Sequence, residues 1–116
     1  MKILNKQEFL KLPENVLYCC NPDSSHVGFH NLRIKGETLS LSNDWYEVSV
    51  TEYEHYDFGQ LCSRHDEMLK GASYPLEISA CRNGLFEDDN IFLVYEAKDL
   101  RELQIRLDEC IGCDQV

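Results

Sequence analysis

Apolar residues recur at two periods along the chain, and the places where the period changes predict its elements. Between Leu76 and Cys81 the period is two, with Leu76, Ile78 and Ala80 alternating with Glu77, Ser79 and Cys81. The same alternation runs through Val16–Cys20 and through Trp45–Thr51, where Tyr46, Val48 and Val50 interleave with Trp45, Glu47 and Ser49. Period two puts successive side chains on opposite faces of a strand. Leu32 and Ile34 run into Lys35-Gly36, and Leu39 and Leu41 follow, which predicts a hairpin turning at the glycine. Ile91–Tyr95 has no polar interruption and predicts a central strand buried on both faces.

Three segments switch to helical spacing, and each carries end signals. Asn5 with Glu8 three residues later forms a capping box, Leu4 and Phe9 can pack as a staple, and Pro13 stops the helix. Asp57 with Gln60 caps a second helix whose apolar stripe is Phe58, Leu61, Cys62, His65, Met68 and Leu69, ended by Gly71. Asp99 with Glu102 predicts the start of a third, with Leu100, Leu103, Leu107, Cys110 and Ile111 on its core side and Gly112 at its close. Glu102 and Arg106 add an i,i+4 ion pair. Runs of strands broken by single helices, without regular βαβ alternation, predict an α+β fold. The expected architecture is a mainly antiparallel sheet of five to six strands with three helices packed on it, in one domain over residues 1–116.

Charge narrows the partners. The 116 residues hold 21 acids against 11 Lys and Arg, a net charge of −10. That field repels phosphate backbones and anionic lipid, so direct nucleic-acid or membrane binding is not expected, and a basic protein surface is the partner it suits. MKILNKQEFL lacks the apolar core of a secretory signal, and no stretch approaches the roughly 20 apolar residues of a membrane span, so a cytoplasmic location is expected. Free thiols are then the ordinary state of the six cysteines.

Candidate chemistry is sparse. Cys110 and Cys113 form a C-x-x-C, but it closes a helix, where the negative dipole end disfavours a thiolate. As one half of a zinc site that pair would need Cys19 with Cys20, or His26 with His30. Neighbours on a strand point apart, so Cys19 and Cys20 chelate poorly, and His26 and His30 fall in a loop. No metal or other cofactor is expected. His65 follows Cys62 by three residues, yet nothing in its surroundings would activate that thiol, and a partly buried, hydrogen-bonded histidine is expected. Glu87-Asp88-Asp89 follows the turn pair Asn83-Gly84. Three consecutive carboxylates do not match the alternating ligands of a calcium loop, so they read as a wet turn ahead of the central strand. No phosphate loop, nucleophile elbow or kinase signature is present.

Asn43–Asp57, NDWYEVSVTEYEHYD, holds five acids, four aromatics and no Lys or Arg. Glu52 and Glu54 would lie about 6.6–6.8 Å apart on one strand face. Trp45 and Tyr53, if they stay outside, would be anchors of the type enriched at binding hot spots. The expected partner-binding set is Trp45, Glu47, Glu52, Tyr53, Glu54 and Asp57, with no catalytic residue.

Arg82-Asn83-Gly84-Leu85-Phe86-Glu87-Asp88-Asp89, the apolar strand after it and Asp99-Leu100, together with the early Phe9-Leu10-Lys11-Leu12-Pro13, resemble small uncharacterised acidic proteins of phages and bacteria. The resemblance covers about a third of the chain and implies a mobile-element origin, where small acidic proteins act by binding host machinery. The expected function is a non-enzymatic acidic binding protein, such as a phage-encoded inhibitor that mimics nucleic acid on the basic surface of a defence complex. The alternatives are a small hydrolytic or metal-dependent enzyme using His65 or His55 with nearby carboxylates, and a toxin-immunity or oligomeric accessory protein.

Overall fold

Asn5 caps a helix and simultaneously ends a strand, and this junction sets the architecture. In the computed structural model, which describes residues 1–20, 32–84 and 89–113 (backbone alone at Val50, Thr51, Glu52 and Ser79), β1 spans Lys2–Asn5 and α1 follows at Lys6–Leu10. The Asn5 side chain accepts from Glu8 N at 2.9 Å, and Glu8 returns the bond to Asn5 N. Strands β2 (Val16–Cys20), β3 (Arg33–Leu39) and β4 (Asp44–Tyr53) come next, then α2 (Phe58–Leu69), β5 (Leu76–Asn83), β6 (Ile91–Val94) and α3 (Ala97–Ile111). Six strands form one antiparallel sheet in the order β1-β6-β2-β3-β4-β5. The fold is α+β, as the periodicities predict.

The run Ile91–Tyr95 behaves as its composition dictates. β6 lies between β1 and β2, and its residues feed two cores. Phe92 and Val94 join Phe9, Tyr18 and Trp45 on the face that α1 covers. Leu93 and Tyr95 join Cys19 on the other, with Leu17, Leu32 and Leu100 packed against them. Cys19 and Cys20 accordingly contribute to opposite faces. Phe9 stacks on Phe92 at 4.1 Å between ring centroids and meets Trp45 edge-on at 5.0 Å.

Four expectations change. Lys35-Gly36 is not a turn: β3 runs straight through it, and the register against β4 slips between Lys35 and Thr38 as a bulge. A Cβ at Gly36 would sit 3.1 Å from Tyr46 O, so the glycine serves close backbone approach. The chain reverses after Leu39 instead, where Ser42 N bonds Leu39 O and Asn43 takes φ 55°. The second correction is β1, which precedes the first helix and is too short to show a period. Third, α3 starts at Ala97, two residues before Asp99. Its N-cap is Glu96, and Asp99 is the reciprocal partner in the box, accepting from Glu96 N at 2.9 Å.

The fourth concerns packing. α2 and α3 carry the expected apolar stripes but bury no residue completely. Phe58 is 77% exposed, and Leu69, Leu107 and Ile111 are exposed as well. α3 touches the core through Leu100, while the chain's ammonium terminus holds Asp99 at 2.7 Å. α2 is tethered at its flank, by Tyr53 Oη donating to Leu61 O at 2.8 Å and by Arg64 bonding Glu54 O and lying over the Tyr74 ring at 4.5 Å. Its end has the Schellman pattern, Ala72 N to Glu67 O and Gly71 N to Met68 O with Gly71 at φ 104°.

Candidate functional site

The β4 alternation is inverted relative to expectation, and this divides the predicted binding residues. Trp45 has no exposed surface and Glu47 is 3% exposed, so neither is an outward anchor or a surface charge. Tyr46 takes the outer face instead. The physical reason is that Glu47 is neutralised inside. Its carboxylate accepts from Arg33 Nη1 at 2.7 Å, from Asn83 Nδ2 at 3.0 Å, from Cys81 Sγ at 3.5 Å and from the Tyr18 hydroxyl. Tyr18 Oη in turn accepts from Trp45 Nε1 at 2.8 Å. A buried carboxylate with this many donors satisfies the requirement that a buried charge be paired and hydrogen-bonded.

These contacts fix the protonation states. Burial pushes the Glu47 carboxyl up, but the bonds from Tyr18 and Asn83 and the charge of Arg33 outweigh it and hold the group below the usual carboxylate range. Burial first, and then the carboxylate beside it, push the Tyr18 hydroxyl far up. The Cys81 thiol is raised by burial and by Glu47, so it is held as a thiol, not as a nucleophilic thiolate. Asp44, also buried, is held down chiefly by Arg82, then by Ser42. Lys6 Nζ donates to Gly84 O at 2.6 Å, and Lys35 Nζ to Thr38 Oγ1 at 2.6 Å. The buried charges are spent on holding the sheet and α1 together.

The remaining predicted residues gather where β4 runs into α2. Tyr53 is half-buried and committed to Leu61. Glu54 is exposed and pairs with Arg64 at 3.4 Å. Asp57 is exposed and is the N-cap of α2, accepting from Gln60 N at 2.7 Å. Asp57→Ala is expected to lower stability by about 1 kcal/mol, measurable by urea denaturation, with no larger loss because the residue is solvent-facing. The Glu52 side chain lies outside the described residues. Two exposed aromatics complete the junction, Tyr56 at 81% and Phe58. The pattern gave Phe58 to the core; among the described residues no element buries that face of α2.

The groups of the alternative enzymatic reading do not converge. His65 is exposed, not partly buried, 3.9 Å from Asp66 Oδ1, and Cys62 is exposed too. His55 Nδ1 lies 2.9 Å from Tyr53 O and 3.6 Å from Glu77 Oε2. A groove of about 560 Å³ runs along α2 between Tyr56, Gln60, Arg64, Glu67 and Tyr74, and neither histidine lines it. Cys110 and Cys113 are exposed at the end of α3. Among the described residues no three of His, Cys, Asp and Glu gather as a metal site requires. His26, His30, Glu87 and Asp88 lie outside the described residues, while Asp89 is exposed. No helix among the described residues is long and apolar enough to cross a membrane. Comparison of the chain with protein-family models, with curated proteins and with solved structures finds no match.

Proposed function

We propose that the chain is a non-enzymatic binding protein that docks onto a basic protein surface through the β4–α2 junction. The observation that carries this reading is the exposure of Tyr56 and Phe58 on either side of Asp57, with the solvent-facing carboxylates of Glu54 before them and Asp66 further along α2. Aromatic side chains held in water cost free energy that a partner's pocket can recover, and they are enriched among residues that dominate binding. The surrounding acids, in a chain of net charge −10, supply selection and association rate toward a basic partner. The kind of surface that suits this is one that ordinarily receives a phosphate backbone, as in a nucleic-acid-handling defence complex.

Two double variants test the reading. Tyr56→Ala/Phe58→Ala removes the anchors, and Glu54→Lys/Asp66→Lys reverses the rim. Each truncated anchor is expected to cost about 2 kcal/mol of binding, roughly thirtyfold in affinity. In capture from the native host followed by mass spectrometry, a basic protein should bind the wild-type chain, elute with salt, and be lost from both variants. Equal recovery on either variant refutes the proposed surface.

A further inference from the structure

We propose that β5 is a self-association edge, on which a second copy of this chain adds its own β5 antiparallel across a two-fold axis. The two edges of the sheet differ. β1 is four residues long and begins with an exposed lysine, both usual means of blocking strand addition. β5 is eight residues long, has no proline, and presents no neighbour beyond β4 among the described elements. Leu76 is 58% and Ile78 69% exposed, with Ala80 exposed beside them. The register sets Ala80 opposite Val48 and Arg82 opposite Tyr46, so this row continues the outer apolar face of β4. An edge strand also leaves one row of N–H and C=O groups without a strand partner.

Charge selects a second copy as the occupant. In a chain of net charge −10, LEISACRN carries one acid and one base, Glu77 near one end and Arg82 near the other. Antiparallel pairing of two copies sets the acidic end of each strand against the basic end of the other, so the contact itself is not repelled. Faces stay aligned only when residues of equal parity pair, which leaves registers centred on Ser79 or on Ala80, each one residue short of full overlap. In the first, Ile78 lies opposite Ala80 of the other copy and Leu76 opposite Arg82.

Sedimentation velocity on the full chain, at concentrations up to roughly 100 µM, tests the proposal. The wild-type chain is expected to form a dimer. Ile78→Lys and, separately, Ala80→Lys place a charge at solvent-facing edge positions and are expected to weaken that dimer at least about thirtyfold, with unchanged circular dichroism. Because the two copies repel at long range, the dimer should tighten as salt screens them, opposite to the basic partner's response to salt. A wild-type chain that stays monomeric overturns the proposal. So does a dimer indifferent to both lysines, above all one that Leu107→Lys abolishes, since that result moves the interface to α3.

Discussion

Replacing Gly84 with alanine is expected to lower the melting temperature by about 15 °C or more, or to leave the chain unfolded. Two independent effects add. Gly84 sits at φ 92°, where a side chain is strained by about 1–2 kcal/mol. A Cβ built there falls 2.8 Å from Trp45 Cε3 and closer still to Cζ3 and Cη2. The indole has nowhere to go, because it is fully buried, meets Phe9 at 5.0 Å and Phe92 at 5.4 Å edge-on, and is tied by Nε1 to Tyr18. Overpacking of this kind costs a further 1–3 kcal/mol or more. Displacing Gly84 also disturbs its carbonyl, which receives Lys6 and so holds the start of α1. The sum is a large share of a stability of about 5–15 kcal/mol. Thermal unfolding by circular dichroism measures it, and Trp45→Leu in the same chain should return part of the loss by making room. An unchanged melting temperature in Gly84→Ala would show that the indole yields.

This glycine illustrates what the chain states openly and what it does not. Asn83-Gly84 reads as a turn, which is a local property, and the positive φ agrees. That the same glycine is the seat of an indole 39 positions earlier has no local signature. Local signals served well elsewhere, in the Asn5–Glu8 box, the Asp57 cap, the Gly71 end and the uninterrupted apolar run of β6. Gly36 shows their limit, because a glycine between two apolar runs signals a turn and a bulge alike.

The side of β4 that faces inward was illegible for a deeper reason. Both parities of Trp45–Val50 carry apolar residues, and the set with Tyr46, Val48 and Val50 is the more apolar, so hydropathy places it inside. Glu47 goes in because Arg33 and Asn83, 14 and 36 residues away, complete its charge and bonds. The apolar stripes of α2 and α3 raise the converse difficulty. Period reports that a face is apolar, not what covers it, and here the fold leaves both largely open. Of the residues expected to face a partner, Glu54 and Asp57 stand outside while Trp45 and Glu47 lie inside, and the exposed aromatics beside those two acids are Tyr56 and Phe58.

Glu47→Gln is expected to cost about 3–5 kcal/mol at neutral pH, although it changes no side-chain volume. The amide offers one acceptor oxygen where Asn83 and Tyr18 donate to two, and it leaves the Arg33 guanidinium half-buried without its counter-charge, with Arg33 Nε already buried without a hydrogen-bond partner. Removing one member of a buried pair costs more than the pair contributes. Arg33→Met/Glu47→Leu, which removes both charges, should therefore be more stable than Glu47→Gln alone; urea denaturation orders the three chains. Acid separates charge from packing. The Glu47 carboxyl is depressed in the folded chain, so its contribution is complete above the unfolded value of about 4.3 and is lost as pH falls from there through the folded value. One such group steepens the acid limb by up to about 1.4 kcal/mol per pH unit. Glu47→Gln cannot protonate, so its stability should fall less steeply below pH about 4, and the two chains should converge there. Parallel acid limbs would mean that Glu47 holds the core by shape and not by charge.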